Sequence, residues 1–308
     1  MSREPEAVRA DAPFSTEPAR GWLPWGLLAP VLGLFFVAIP AVVTEGLFES
    51  YGFLTAKGDP IGTRGMIVFL LVPFALTGLI VLAWTRFVER RPLATIGLAW
   101  PGNTRPLLIG LATGAAMILA VVAGSWASGA LVAADYAPAF ASPSSLGAIA
   151  ILLLCFVVQS GVEEILFRGW LLSATARKFG PLAGVVLTTM LFTLLHFSRG
   201  QPLLSTLTII LFSVFACVWA LRTRSIWGVM GWHSGWNWLL ATGFDLPVTG
   251  LDAGVPALLV RLVPAGPVWL TGGAEGPEAS IFCALVLAAG ITVIFGRTWL
   301  FPDAGRDR

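Results

Sequence analysis

The chain has 308 residues, 56% of them Ala, Val, Ile, Leu, Met, Phe, Trp, Tyr or Cys, and only 12% are charged. Soluble domains carry about twice that charged fraction, so this composition excludes a water-covered globule and reads as an integral membrane protein; a mean hydropathy of +0.84 agrees. A net charge of +2 excludes the basic excess of a nucleic-acid binder. The three cysteines stand far apart in apolar runs with no C-x-x-C pair, and no glycine-rich phosphate loop occurs.

In chain order, residues 1–21 form a polar tail of mixed charge that reads as disordered and lacks the apolar core of a secretory signal. Eight apolar runs follow, at about 22–43, 65–85, 107–134, 146–172, 181–198, 202–221, 225–244 and 280–295. In lipid such runs are helices, because only a helix or a closed barrel satisfies its own backbone there. They predict an all-α polytopic bundle of about eight transmembrane helices, one domain over residues 22–301, and a short tail at 302–308. Residues 255–270, apolar but broken by Pro256, Pro264, Gly266 and Pro267, read as an interfacial or re-entrant segment on the outer side.

Counted between these runs, fourteen Lys and Arg fall on the side of the termini and four on the other, with Arg168 inside the fourth run. Positive charge stays in the cytoplasm, so both termini are expected there. Arg outnumbers Lys heavily, which with the Ala and Gly content suggests a bacterial source and hence the bacterial cell membrane.

Glu163 and Glu164 are the acidic residues well inside an apolar run, and the chain's two histidines, His196 and His233, also lie within runs, as does Asn237. Intramembrane ionisable groups are costly unless they pair or face water, and they mark functional sites by default. Arg177-Lys178-Phe179-Gly180-Pro181 reads as a tight turn between two helices. Glu163 and His196 are equidistant from that turn in sequence, so an antiparallel hairpin brings them to one height, roughly 22–25 Å from the turn. His233 and Asn237 are i and i+4, on one helical face. Glu164 and Arg168 have the favourable i, i+4 order for an ion pair, which leaves Glu163 free toward His196. A buried carboxylate without a partner is a candidate general base, with His196 sharing the proton and orienting a water. His233 and Asn237 are then donors for an oxyanion. These roles together describe hydrolysis of an amide.

The segments Glu163-Glu164-Ile165-Leu166-Phe167-Arg168, Phe192-Thr193-Leu194-Leu195-His196 and His233-Ser234-Gly235-Trp236-Asn237 resemble the E-E-x-x-x-R, F-x-x-x-H and H-x-x-x-N/D motifs of the CPBP family. That family holds the type II CAAX prenyl endopeptidases and bacterial proteins linked to bacteriocin processing and immunity. Arg91-Pro92-Leu93-Ala94-Thr95-Ile96-Gly97-Leu98 is similar to its usual pre-core segment. The resemblance implies a catalytic core at about 146–244, opening toward the cytosol. It implies Glu163 and His196 as the water-activating residues and His233 with Asn237 as the oxyanion site, acting on a membrane-associated protein or peptide.

A metal reading stays open beside this one, with Glu163, His196 and His233 as the three ligands of a catalytic zinc. The metal-free version is favoured, since a Glu–His pair activates water by itself and Glu164, the one other acid near, is expected to be committed to Arg168. A catalytically idle scaffold or immunity factor of the same fold is the alternative function. A proton-coupled transporter is disfavoured, because no acids are spread along a path and no inverted repeat is visible.

Overall fold

The structure, a computed structural model, describes residues 13–15, 17–100 and 103–300. Helix α1 spans Leu28–Ser50, α2 Gly62–Ala83, α3 Thr104–Ala127 and α4 Pro143–Glu164. A wider π-helical segment, Ile165–Leu171, carries α4 without a break into α5, Leu172–Phe179. Then follow α6 (Pro181–Leu195), α7 (Leu203–Thr223), α8 (Trp227–Trp238), the short α9 (Val268–Thr271) and α10 (Ile281–Leu300).

Each apolar run of the sequence contains a helix, but only five helical stretches among the described residues are long and apolar enough to cross a bilayer. Helix α6, at 15 residues, reaches about 22 Å, short of the ~30 Å hydrocarbon layer. It stops because Ser198-Arg199-Gly200-Gln201-Pro202 follows, a run of turn-formers, and its end leaves His196 half-buried. In contrast, the continuous helix from Pro143 to Phe179 has 37 residues, about 55 Å, so part of it extends past the bilayer.

Two expectations need correction. The molecule is not all-α: β1 (Leu131–Tyr136) pairs antiparallel with β2 (Val260–Pro264), in a register that sets Val132 opposite Val263 and Asp135 opposite Arg261. The apolar run at 107–134 therefore changes from helix to strand after Ser128-Gly129, where Gly129 takes a positive φ of 74°. The segment at 255–270 supplies the partner strand and α9; its prolines and its buried-exposed-buried alternation at Val260, Arg261 and Leu262 suit a strand and not a membrane helix.

The second correction concerns the N-terminal tail. Residues 1–12 and the expected C-terminal tail at 302–308 lie outside the described residues, but the tail's remaining part is packed. Phe14 is buried in the main apolar core, and its carbonyl accepts a bond from the Arg224 guanidinium. The Gly21 and Trp22 amides donate to the Glu89 and Val88 carbonyls at 3.0 and 3.2 Å.

The closest helix contact is between α3 and α8, and glycine makes it possible. Gly110 and Gly114 on α3 face Gly231 and Gly235 on α8; a Cβ at Gly114 would sit 1.9 Å from the Trp232 carbonyl oxygen, and one at Gly235 2.1 Å from that of Leu111. In lipid, association rests on such close backbone packing because there is no hydrophobic gain. The contact seats the helix that carries His233 and Asn237. Substituting Gly114 or Gly235 by Ala is expected to reduce accumulation in the membrane and to lower the Tm of the purified protein. Gly147→Ala is the control, since a Cβ there meets nothing within 4 Å, and its Tm should hold or rise, as Ala is favoured over Gly in a helix.

Candidate active site

The last turn of α4, the end of α6 and the middle of α8 meet around a cavity of about 390 Å³. Glu163, His196, His233 and Asn237 all line it, so the structure brings the four expected catalytic residues to one space. Its other walls are apolar, with Phe69 and Phe74 of α2 and Phe212 of α7 among them.

Behind this wall lies a charged core with no solvent contact. Glu164 and Arg168 are fully buried and paired, Arg168 Nη1 donating to Glu164 Oε1 at 2.9 Å. The same oxygen accepts His233 Nδ1 at 2.9 Å. Glu164 is thus not committed to Arg168 alone, as the sequence suggested, but holds the histidine as well. The Arg168 guanidinium also lies over the Phe192 ring, 4.4 Å from its centroid, a cation–π contact in a desolvated setting. A carboxylate only accepts, so Nδ1 of His233 must carry its proton. Nε2 then faces the other carboxylate, 3.8 Å from Glu163 Oε2.

Glu163 is oriented from one turn earlier. Gln159 Nε2 donates to Glu163 Oε1 at 2.9 Å, while Glu163 Oε2 is buried without a hydrogen-bond partner. The Gln159 carbonyl in turn accepts Asn237 Nδ2 at 3.2 Å, and Ser160 Oγ lies 3.4 Å from the same amide nitrogen. Gln159 and Ser160 were missed from the sequence. They are neutral and common in helices, and the only signal was the position of Gln159 one turn before Glu163 inside an apolar span.

His196 stands apart from this chain of bonds. It ends α6, stacks on Phe192 at 4.2 Å, and its Nδ1 lies 2.9 Å from the Phe192 carbonyl. That carbonyl can only accept, so Nδ1 is the donor and Nε2 keeps its lone pair. Glu163 and His196 share the cavity's walls, whereas His233, on a neighbouring helix, approaches Glu163 Oε2 to 3.8 Å. Another carboxylate fixes α8 from the opposite end: Glu278 Oε1 accepts the Trp236 indole N–H at 2.7 Å, and Oε2 accepts the Thr249 amide at 2.7 Å. Burial pushes the Glu278 carboxyl above its usual range, against the pull of these two bonds.

A zinc reading would need Glu163, His196 and His233 to converge. Among the described residues no group of three or more His, Cys, Asp or Glu is arranged to hold a metal ion. The carboxylate support that a zinc-bound histidine usually requires is present at His233, through Glu164, but the ligand set itself does not close.

The cavity lies in one half of the molecule. Thr249, Leu251 and Glu275 of the 245–278 loop line it, and no residue of the arginine-bearing turns at 177–180 and 222–226 does.

Removing the Arg168 charge leaves Glu164 buried beside its remaining partner, a loss that commonly costs about 3–5 kcal/mol. Arg168→Ala should accumulate poorly and melt early. Normal accumulation and an unchanged Tm would show that the pair is dispensable.

A family model described as type II CAAX prenyl endopeptidase Rce1-like matches residues 145–239. No curated protein and no solved structure matches the chain. The matched stretch begins at the start of α4 and ends just beyond α8, so it contains every residue of the bonded network from Gln159 to Asn237, and His196 as well. This stretch, just under a third of the chain, is thus similar to the Rce1-like type II CAAX prenyl endopeptidases, in agreement with the resemblance carried by the three sequence motifs.

Proposed function

We propose that the protein is an intramembrane endopeptidase that hydrolyses a peptide bond in a membrane-associated protein or peptide. The observation that carries this reading is Glu163 Oε2, a buried carboxylate oxygen without a hydrogen-bond partner on the wall of a cavity. An oxygen so placed is available to take a proton from water, and the Gln159 bond keeps it in position.

In this mechanism Glu163 removes a proton as the water oxygen attacks the scissile carbonyl carbon. His196, with Nδ1 held by the Phe192 carbonyl, presents Nε2 as an acceptor that orients the same water. The carbonyl oxygen becomes an oxyanion. The Asn237 amide, giving up its long 3.4 Å bond to Ser160 Oγ, serves it as one donor, and the His233 Nε2–H, present when that ring carries both protons, as the other; Glu164 and the oxyanion itself balance that charge. As the C–N bond breaks, Glu163 returns its proton to the leaving amine. The chemistry uses only this chain's own residues and a water, and needs no metal.

With the arginine-rich ends in the cytoplasm of a bacterial cell, the cavity serves the outer half of the membrane. Its phenylalanine-rich walls suit an apolar segment of the substrate. Whether that segment bears a prenyl group is a separate property of the substrate, which the cavity does not require.

Groups that act as one unit are non-additive when removed. Glu163→Gln and His196→Ala should each abolish cleavage of a membrane peptide substrate, and the double variant should be no worse than either. Asn237→Ala should lower kcat by about 10²–10³ with little change in KM, as for loss of one oxyanion donor. A rise in KM with kcat intact would remove Asn237 from the oxyanion site, and multiplying partial losses for Glu163 and His196 would break the shared-water reading.

A further inference from the structure

A second cavity, of about 660 Å³, opens at the far end of the molecule, where the N-terminal segment crosses the end of α2. Arg20, Arg86, Arg90 and Arg91 line it, with Glu17 as its one acid. With Arg91 paired to the buried Glu89, three guanidinium groups face one carboxylate and leave the site net positive, and it lies outside the cavity lined by Glu163.

Three further observations point to a ligand. Arg91 is fully buried, with Nε bonded to Glu89 and Nη1 donating to Ser173 Oγ at 3.0 Å, yet Nη2 is buried without any partner. A buried donor on a charged group is costly to leave unmatched. Burial also holds the Arg91 guanidinium below its ordinary range despite Glu89 beside it. Arg90 sits at φ 50°, in the left-handed region that a residue with a Cβ rarely adopts, and such strain concentrates where function requires it.

The surroundings identify the ligand's other half. Phe87, 71% exposed, borders the cavity, and Trp22, 52% exposed, is tied by its amide to Val88. Exposed aromatics beside arginines, at the end of a spanning helix, have the composition of the bilayer interface. Guanidinium forks are the protein's preferred partner for phosphate oxygens. We infer that this cavity binds the phosphate of an anionic phospholipid, with Arg20, Arg86 and Arg90 around the headgroup, Arg91 Nη2 as its innermost donor, and the acyl chains against Phe87 and Trp22. Basic pockets on the arginine-rich side of a membrane protein meet the leaflet surface where anionic lipid gives such contacts their affinity.

The test uses the full-length protein in detergent micelles supplemented with phosphatidylglycerol or phosphatidylcholine, with bound lipid counted by native mass spectrometry. The wild type should retain phosphatidylglycerol and not phosphatidylcholine. Arg20→Glu combined with Arg86→Glu should weaken that retention about tenfold or more, while Arg20→Lys with Arg86→Lys keeps most of it. Melting of each variant without added lipid checks folding, and if the reversed pair melts early, Arg86→Gln carries the same comparison. Retention unaffected by charge reversal, or equal retention of both lipids, overturns the proposal. Displacement of the lipid by inorganic phosphate at equal concentration would reassign the cavity to a free anion and also overturn it.

Discussion

A single carboxylate oxygen, Oε1 of Glu164, is shared by Arg168 and His233 at 2.9 Å each. This shared bond joins the helix that carries the two glutamates to itself one turn on and to a second helix at the same point. Charged groups in a dry interior are tolerable only when paired, and removal of Glu164 or of Arg168 leaves the other's buried charge unmatched. The bond also has a chemical consequence: it decides which nitrogen of His233 bears a proton, and so what the ring presents to Glu163.

Helix α8 reaches that position because glycines let α3 approach its backbone at van der Waals distance, with no side chain between. The π-helical segment that begins at Ile165 lies directly after the two glutamates. Such widened turns are frequent at functional sites. Below it, Trp170 Nε1 donates to the buried Glu89 at 2.8 Å, so the end of α2 and the N-terminal segment packed on it are joined to the same helix as the two glutamates. The arginine-lined cavity and the cavity lined by Glu163 thus share one structural spine, although they lie at different levels of it.

Much of the site was legible in the sequence because charge in an apolar run has few explanations. Glu163, Glu164, Arg168, His196, His233 and Asn237 were conspicuous for that reason, and the turn at Gly180 placed the first hairpin correctly. The partner of each group was less legible. One turn of helix fixes Arg168 relative to Glu164, but the contact of Glu164 with His233 spans 69 positions, and no local spacing reports it. The neutral side chains of Gln159 and Ser160 escaped for the opposite reason, since nothing in their composition marks them. Helix α6 shows the limit of hydropathy: its apolar run continued through Phe197, but the chain turned at His196. The strands at 131–136 and 260–264 were hidden because apolar residues at a membrane boundary read alike as helix or strand until pairing is known.

The tautomer of His233 tests the account most directly, and the composition makes it accessible, since the chain has only two histidines. Nitrogen-15 NMR of histidine-labelled protein in lipid resolves the protonation of each ring nitrogen. The account predicts that Nδ1 of both rings is protonated. For His233, assigned by its loss in His233→Ala, that signal should show a strong bond to a carboxylate that weakens in Glu164→Gln, with the His196 signal unchanged. A His233 ring carrying its proton on Nε2 alone, indifferent to Glu164→Gln, would contradict the arrangement on which the site is built.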